Sequence, residues 1–320
     1  MKKPNSHSIF QILVSLLLLG VSLYALPARA ALDLDSLKTL TPDWVTDGVD
    51  NGVDYGNAVA SAGDINGDGY ADSIVGAQKY LVGGKRCGAA FVYLGAAAGT
   101  SRNLHRQLSN ALAGSYFGAA VSSAGDVNGD GYDDVLVGSS HFHLNSGYEG
   151  AAYLYYGSVN GLIDTPAWMS IGPLGEAQFG ASVSGVGDVN ADGYDDILIG
   201  APAYSSGQSS EGALFLFFGS ANGPAETADW QIQSNQVAAQ LGYAITNLDD
   251  LNRDGYADFA ASAPNYDQDN SDAGVVWVFY GSATLPANQP DWLAVGTQAD
   301  ESFGSALDSA GDVDANGYPD

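Results

Sequence analysis

The sequence predicts an all-β fold, a β-propeller of four-stranded blades, and three observations carry that prediction. A 62-residue unit recurs in constant register, each unit holds four short runs of strand character, and the composition favours strands and turns over helices. The 320 residues include 42 Gly and 18 Tyr but only 10 Lys and Arg, a balance typical of strands joined by tight turns. Glycine shows no Gly-X-Y period, which excludes collagen. A chain that is 46% hydrophobic and 15% charged buries a core and is not a disordered segment. The formal charge of −27 disfavours an extended nucleic-acid footprint, which needs clustered Lys and Arg on a face, and favours cations instead.

The period is read from five segments, DINGDGYAD, DVNGDGYDD, DVNADGYDD, DLNRDGYAD and DVDANGYPD. They begin at Asp64, Asp126, Asp188, Asp250 and Asp312, each 62 residues after the last. Tyr55-Gly56, Phe117-Gly118, Phe179-Gly180, Leu241-Gly242 and Phe303-Gly304 keep the same step, as do Trp168, Trp230 and Trp292, with Trp44 two steps before Trp168. A fixed period of this kind is the signature of a repeat architecture. In the second unit, strands are expected at Ala119–Ala124, Asp134–Gly138, Ala151–Gly157 and Trp168–Ile171, all apolar or β-branched runs bounded by Gly, Asn, Asp or Pro. Four strands per unit suit radially packed blades. The units run at about 43–108, 109–170, 171–232, 233–294 and 295–320, the last of them cut short.

Residues 1–30 read as an export signal: Lys2 and Lys3, an apolar stretch from Ile9 to about Leu26, and the small-residue ending Ala28-Arg29-Ala30. Its loss removes three positive charges and no acid, so the formal charge of −27 becomes −30. The remainder, 31–320, is expected to be secreted or held at the cell surface, with no membrane span. Cys87 is the single cysteine, so no intrachain disulfide can staple the fold.

The acidic segments explain what does. Within each nine-residue loop, oxygen side chains occupy positions 1, 3, 5 and 9, Gly occupies position 6, and the position 7 carbonyl can complete a shell. The candidate metal ligands are therefore Asp64, Asn66, Asp68, Tyr70 and Asp72; Asp126, Asn128, Asp130, Tyr132 and Asp134; Asp188, Asn190, Asp192, Tyr194 and Asp196; Asp250, Asn252, Asp254, Tyr256 and Asp258; and Asp312, Asp314, Asn316, Tyr318 and Asp320. All-oxygen ligation of this kind is hard-cation chemistry and suits Ca²⁺ better than Mg²⁺. An EF-hand is excluded, because position 12 holds Val75, Val137, Ile199 or Ala261 instead of glutamate. The competing reading is plain Asn-Gly and Asp-Gly hairpin turns, which need one or two such residues rather than four oxygens in five copies. Arg253, at position 4 of the fourth loop, is the one irregular residue, and its side chain is expected to point away from the cation.

The Phe-Gly pair, the acidic loop and the following Gly200-Ala201-Pro202 together resemble FG-GAP repeats, as in the N-terminal β-propeller of integrin α chains. Ser262-Ala263-Pro264, Gly76-Ala77-Gln78 and Gly138-Ser139-Ser140 are degenerate copies of the last element. The resemblance implies a seven-bladed propeller with calcium loops on one face and ligands on the other. This sequence supplies about four and a half such blades: an outer strand near Trp44, four full units, and the first strand of a fifth. It is expected to be a truncated product.

No G-x-S-x-G, H-E-x-x-H or phosphate-cradling motif occurs. No catalytic residues are assigned, and equal-length loops give no sign of an active site. In a meander, the edge opposite the acidic loops carries the segments Gln78–Gly88, Ser140–Gly150, Pro202–Gly212 and Pro264–Gly274. Their Tyr80, Lys85, Arg86, His141, Phe142, His143, Tyr148, Tyr204 and Tyr266 suit contact with a protein or glycan. Five basic residues, Lys79, Lys85, Arg86, Arg102 and Arg106, cluster in the first unit and either meet an anionic partner or pair with their own neighbours. The leading reading is an exported calcium-binding module for an extracellular protein or glycan, acting in adhesion. The alternative is the propeller portion of a secreted hydrolase, such as a phospholipase or glycan-degrading enzyme, whose catalytic part lies elsewhere.

Overall fold

The strand-forming runs of the four full units all become strands. The computed structural model describes residues 45–46, 52–97, 99, 103–144, 147–268, 270–316 and 319, all within one unit, Trp44–Asp320. The export signal and the strand expected near Trp44 lie outside the described residues, as do Arg102, Tyr318 and Asp320. Blade 1 comprises β1 (Tyr55–Gly63), β2 (Asp72–Ala77), β5 (Ala89–Tyr93) and β6 (Arg106–Leu108), with a small ribbon of β3 (Leu81–Val82) and β4 (Lys85–Arg86) in the β2–β5 connection. Blade 2 comprises β7 (Phe117–Gly125), β8 (Asp134–Ser139), β9 (Ala151–Tyr155) and β10 (Trp168–Ile171). Blade 3 comprises β11 (Ser182–Gly187), β12 (Asp196–Ala201), β13 (Ala213–Phe217) and β14 (Trp230–Gln233). Blade 4 comprises β15 (Ile245–Asn247), β16 (Phe259–Ala263), β17 (Val275–Phe279) and β18 (Trp292–Val295). Each blade is a four-stranded antiparallel meander in sequence order, and no helix occurs among the described residues.

The first strands of successive blades are neighbours, β1 beside β7, β7 beside β11 and β11 beside β15, which is the inner edge of a propeller. The middle strands are covered on both faces by adjoining blades. Every residue of β8, β9, β12 and β13 is accordingly buried, which explains why DVLVGS and DILIGA read as continuous apolar runs rather than alternating ones. The core lies between blades rather than within them. Val92, Phe117, Val137 and Tyr153 fill the first junction, Leu154, Trp168, Phe179, Phe215 and Phe217 the second, and Leu214, Trp230, Phe259 and Phe279 the third.

The Phe-Gly pair is the docking element. Phe117, Phe179, Leu241 and Phe303 each donate a backbone N–H to the preceding blade, to Cys87 O, Glu149 O, Glu211 O and Ala273 O at 2.9 to 3.1 Å. Gly180 follows at a φ of 81°, and a Cβ there would run into the Ala151 carbonyl; only glycine fits this close, left-handed crossing. The outer-strand tryptophans report the packing. Trp168 and Trp230 are 8% and 5% exposed, whereas Trp292 of blade 4 is 54% exposed. The first strand expected in the fifth unit is absent among the described residues, although Phe303 docks as its counterparts do. A first strand is held by the ladder it shares with the second, and among the described residues no strand pairs with 303–311.

Candidate metal centre

In each of the four full blades the acidic loop joins the first and second strands and closes on its own backbone. In the first loop, the Asp64 carboxylate accepts N–H bonds from Asp68 at 3.0 Å and Gly69 at 2.7 Å. Asn66 Oδ1 accepts from Asp68 N at 3.0 Å, Asp68 Oδ1 accepts from Tyr70 N at 3.0 Å, and Asn66 Nδ2 donates to Asp68 Oδ2 at 3.1 Å. The same five bonds recur around Asp126, Asn128 and Asp130, around Asp188, Asn190 and Asp192, and around Asp250, Asn252 and Asp254. The fifth loop starts alike, with Asn316 N donating to both Asp312 and Asp314. Positions 1, 3 and 5 are thus brought together in every copy. Position 4 is left-handed throughout: Gly67 and Gly129 adopt it freely, while Ala191 and Arg253 hold φ values of 57° and 61°, at a cost of roughly 1 kcal/mol each.

Position 9 has a different setting. Asp72, Asp134, Asp196 and Asp258 are buried at the start of the second strand. Their carboxylates tie the loop to the turn that follows the third strand: Asp134 Oδ2 accepts from Val127 N at 3.1 Å and Oδ1 from Gly157 N at 3.0 Å. Asp72, Asp196 and Asp258 make the equivalent pairs. Burial pushes the Asp134 and Asp196 carboxyls up to about 8 and Asp258 up to about 6, against the partial relief of those N–H donors; the position 1 and 5 carboxylates add to the rise at Asp134 and Asp196. Among the described residues, no three acidic, His or Cys side chains converge on a common centre. The donors nevertheless fit a hard divalent cation. They are all oxygen, three of them carboxylates in each of the four full loops, and the buried position 9 acid sits in a field of like charge that a cation would reverse.

The opposite edge corrects one expectation. Tyr80, Phe142, Tyr204 and Tyr266 do not form an open aromatic surface. Their rings turn back onto the third strand of their own blade, against Phe91 at 5.1 Å, Tyr153 at 6.4 Å, Phe215 at 5.7 Å and Trp277 at 6.0 Å. Spacing alone could have shown this, since the four share one repeat position. Blade 2 keeps a local stack in which His141 lies 4.3 Å from Tyr116 and 5.1 Å from Tyr148, and Tyr148 is 48% exposed. Lys85 and Arg86 are exposed on their ribbon. Lys79 pairs with Asp54 at 2.7 Å and holds that carboxyl below the usual range, while Arg106 Nε donates to Leu162 O at 3.1 Å.

The FG-GAP repeat family matches the chain at residues 117–155, 179–217 and 241–279, within blades 2, 3 and 4. Integrin alpha-PS2 of Drosophila melanogaster is 32% identical over 228 residues, 64% of this chain and 15% of that protein. Integrin alpha-V of Gallus gallus is 34% identical over 224 residues, 67% and 20% of the two chains, and integrin alpha-5 of Xenopus laevis is 31% identical over 218 residues, 65% and 20%. The chain thus spans no more than a fifth of these relatives. The three family matches each run from the Phe-Gly position, Leu241-Gly242 in blade 4, to the end of the third strand, and the chain belongs to the FG-GAP repeat, integrin-alpha-like family of β-propellers.

Proposed function

We propose that the chain is an exported FG-GAP propeller module that binds Ca²⁺ in its acidic loops and presents the opposite edge to an extracellular protein or glycan, in adhesion and without catalysis. The observation that carries this is the repetition of one oxygen-lined loop, bond for bond, at the same edge of four blades. Asp64, Asn66, Asp68 and Asp72, and their counterparts at each step of the repeat, would hold the ion. The ion would supply charge neutralisation, allowing carboxylates crowded into one turn to stay ionised. At about 1 mM calcium and dissociation constants of roughly 0.1 to 1 mM, that is worth about 0.4 to 1.4 kcal/mol per loop. The chain's own residues do the rest: position 9 tethers each loop to the blade, and the Phe-Gly pair docks each blade on the last.

The test is binding of the exported chain to an immobilised panel of extracellular proteins and glycans, in calcium and in chelator. Calcium-dependent capture by a defined member of the panel supports the reading. Hydrolysis of a panel member would support the alternative of a propeller belonging to a secreted hydrolase. Absence of both overturns the proposal of a binding module.

A further inference from the structure

The acidic loops are not independent of one another. At position 8, next to the buried acid, blades 2 and 3 carry Asp133 and Asp195, whereas blade 4 carries Ala257. Asp133 Oδ2 accepts the backbone N–H of Asp64, the first residue of the preceding blade's loop, at 2.6 Å, and Asp133 N donates back to Asp64 O at 3.3 Å. Asp195 repeats this two-bond clasp on Asp126, at 2.8 and 3.2 Å. Gly63 and Gly125 lie beneath the two carboxylates, and a Cβ on either would collide with them. The position 7 rings complete the clasp: a Cβ on Gly67 would sit 2.9 Å from the Tyr132 ring, and one on Gly129 would sit 2.7 Å from the Tyr194 ring.

The third junction lacks the carboxylate. Ala257 N still donates to Asp188 O at 3.0 Å, but its methyl group offers Asp188 N no acceptor. One further backbone contact is the same at all three junctions: the Ser158, Ser220 and Ser282 N–H groups donate to Ile65 O, Val127 O and Val189 O at 3.0, 3.1 and 2.9 Å. The third junction therefore differs from the first two at two positions, Ala257 in place of the carboxylate and Ala191 in place of Gly67 and Gly129; only the first of these removes an acceptor from the residue that supplies the first ligand of a loop.

We propose that Asp133 and Asp195 are positioning residues that couple each preceding cation loop to the blade that follows it. As a result, the loops starting at Asp64 and Asp126 bind their ions more tightly than the loop starting at Asp188. This rests on the calcium reading above. Two physical effects act in the same direction. A charge-assisted hydrogen bond fixes the backbone of the first ligand before the ion arrives, so less freedom is lost on binding. A further negative charge beside the loop also strengthens the attraction for a cation.

The test is calcium titration of the full exported chain by calorimetry, with loops assigned through single Asp→Ala changes at position 1. Asp133→Ala is expected to weaken the Asp64 loop about tenfold, within the usual range of coupling between sites. It should leave the other loops unchanged and have no further effect in an Asp64→Ala background. Asp133→Asn, which keeps an acceptor oxygen but not the charge, should fall between, and it also serves if the alanine variant fails to fold. Ala257→Asp should tighten the Asp188 loop. Hydrogen exchange without metal supplies a second readout, with protection of the Asp64 amide expected to fall in Asp133→Ala. If the wild type binds calcium but Asp133→Ala and Ala257→Asp leave every affinity unchanged, the coupling is overturned and the calcium reading stands. Equal weakening of all loops by Asp133→Ala would also overturn it, as a general loss of fold. A wild type that binds no calcium overturns both.

Discussion

Replacing Phe179 and Phe303 by alanine should give very unequal results, although the two occupy the same repeat position. Phe179 is 1% exposed, 5.2 Å from Phe215 and 6.4 Å from Phe217, inside the cluster between blades 2 and 3. Its truncation loses nearly the whole transfer free energy of a phenyl ring and leaves a cavity with close-packed walls, together about 3 to 5 kcal/mol. That is a large part of a typical folding free energy of about 5 to 15 kcal/mol. Phe303 is 38% exposed, so less surface is returned to water and no closed cavity forms; about 1 to 2 kcal/mol is expected. Phe179→Leu should cost about 1 kcal/mol or a little more, because blade 4 already uses Leu241 there, fully buried. Urea unfolding followed by tryptophan fluorescence is the assay, since Trp168 lies 5.0 Å from Phe217 in the same cluster. Equal midpoint shifts for the two alanine variants would refute the claim that stability resides in blade-to-blade docking.

Further outcomes follow from the same geometry. His105 Nε2 accepts the Leu162 N–H at 3.2 Å, and burial, with the Arg106 charge second, lowers its basicity. Its neutral form is the folded form, so the unfolded chain binds more protons and stability falls as pH drops through about 6.5 and below. The urea midpoint of His105→Gln should lose part of the decline seen in wild type between pH 7.5 and 5.5; an unchanged decline would count against it. Charge reversal of both Lys85 and Arg86 should weaken retention on heparin, used as a model polyanion, and flatten its salt dependence, because exposed attractions are screened within about 8 Å at physiological salt. Unchanged retention across salt would show the basic sector to be inert.

How much was legible depended on whether a feature repeats and whether its partner lies nearby in sequence. The loops at Asp64, Asp126, Asp188 and Asp250 were legible because alternate oxygens and a glycine leave the backbone few ways to turn. The strand runs were legible because a middle strand covered on both faces is apolar at every residue. The inward turn of Tyr80, Phe142, Tyr204 and Tyr266 was missed because loop aromatics were assigned to the surface by type, although their shared spacing marked them as structural. The clasp by Asp133 and Asp195 was not legible at all: its partner lies 69 residues away, and within its own loop the carboxylate looks like one more acid. The fifth first strand was expected from its pattern alone, whereas a strand also needs a ladder partner.

The most direct test of the account is whether calcium binds the acidic loops and holds the fold. The exported chain should be titrated by native mass spectrometry and melted in parallel, in calcium and in chelator at one ionic strength, since salt alone also relieves carboxylate repulsion. The account predicts at least four bound ions. It also predicts a gain of about 2 to 6 kcal/mol at 1 mM calcium from the four complete loops, seen as a higher melting temperature, with part of the gain lost in Asp130→Ala or Asp192→Ala. No bound calcium, with superimposable melting curves in calcium and chelator, would show that the loops are plain hairpin turns and contradict it.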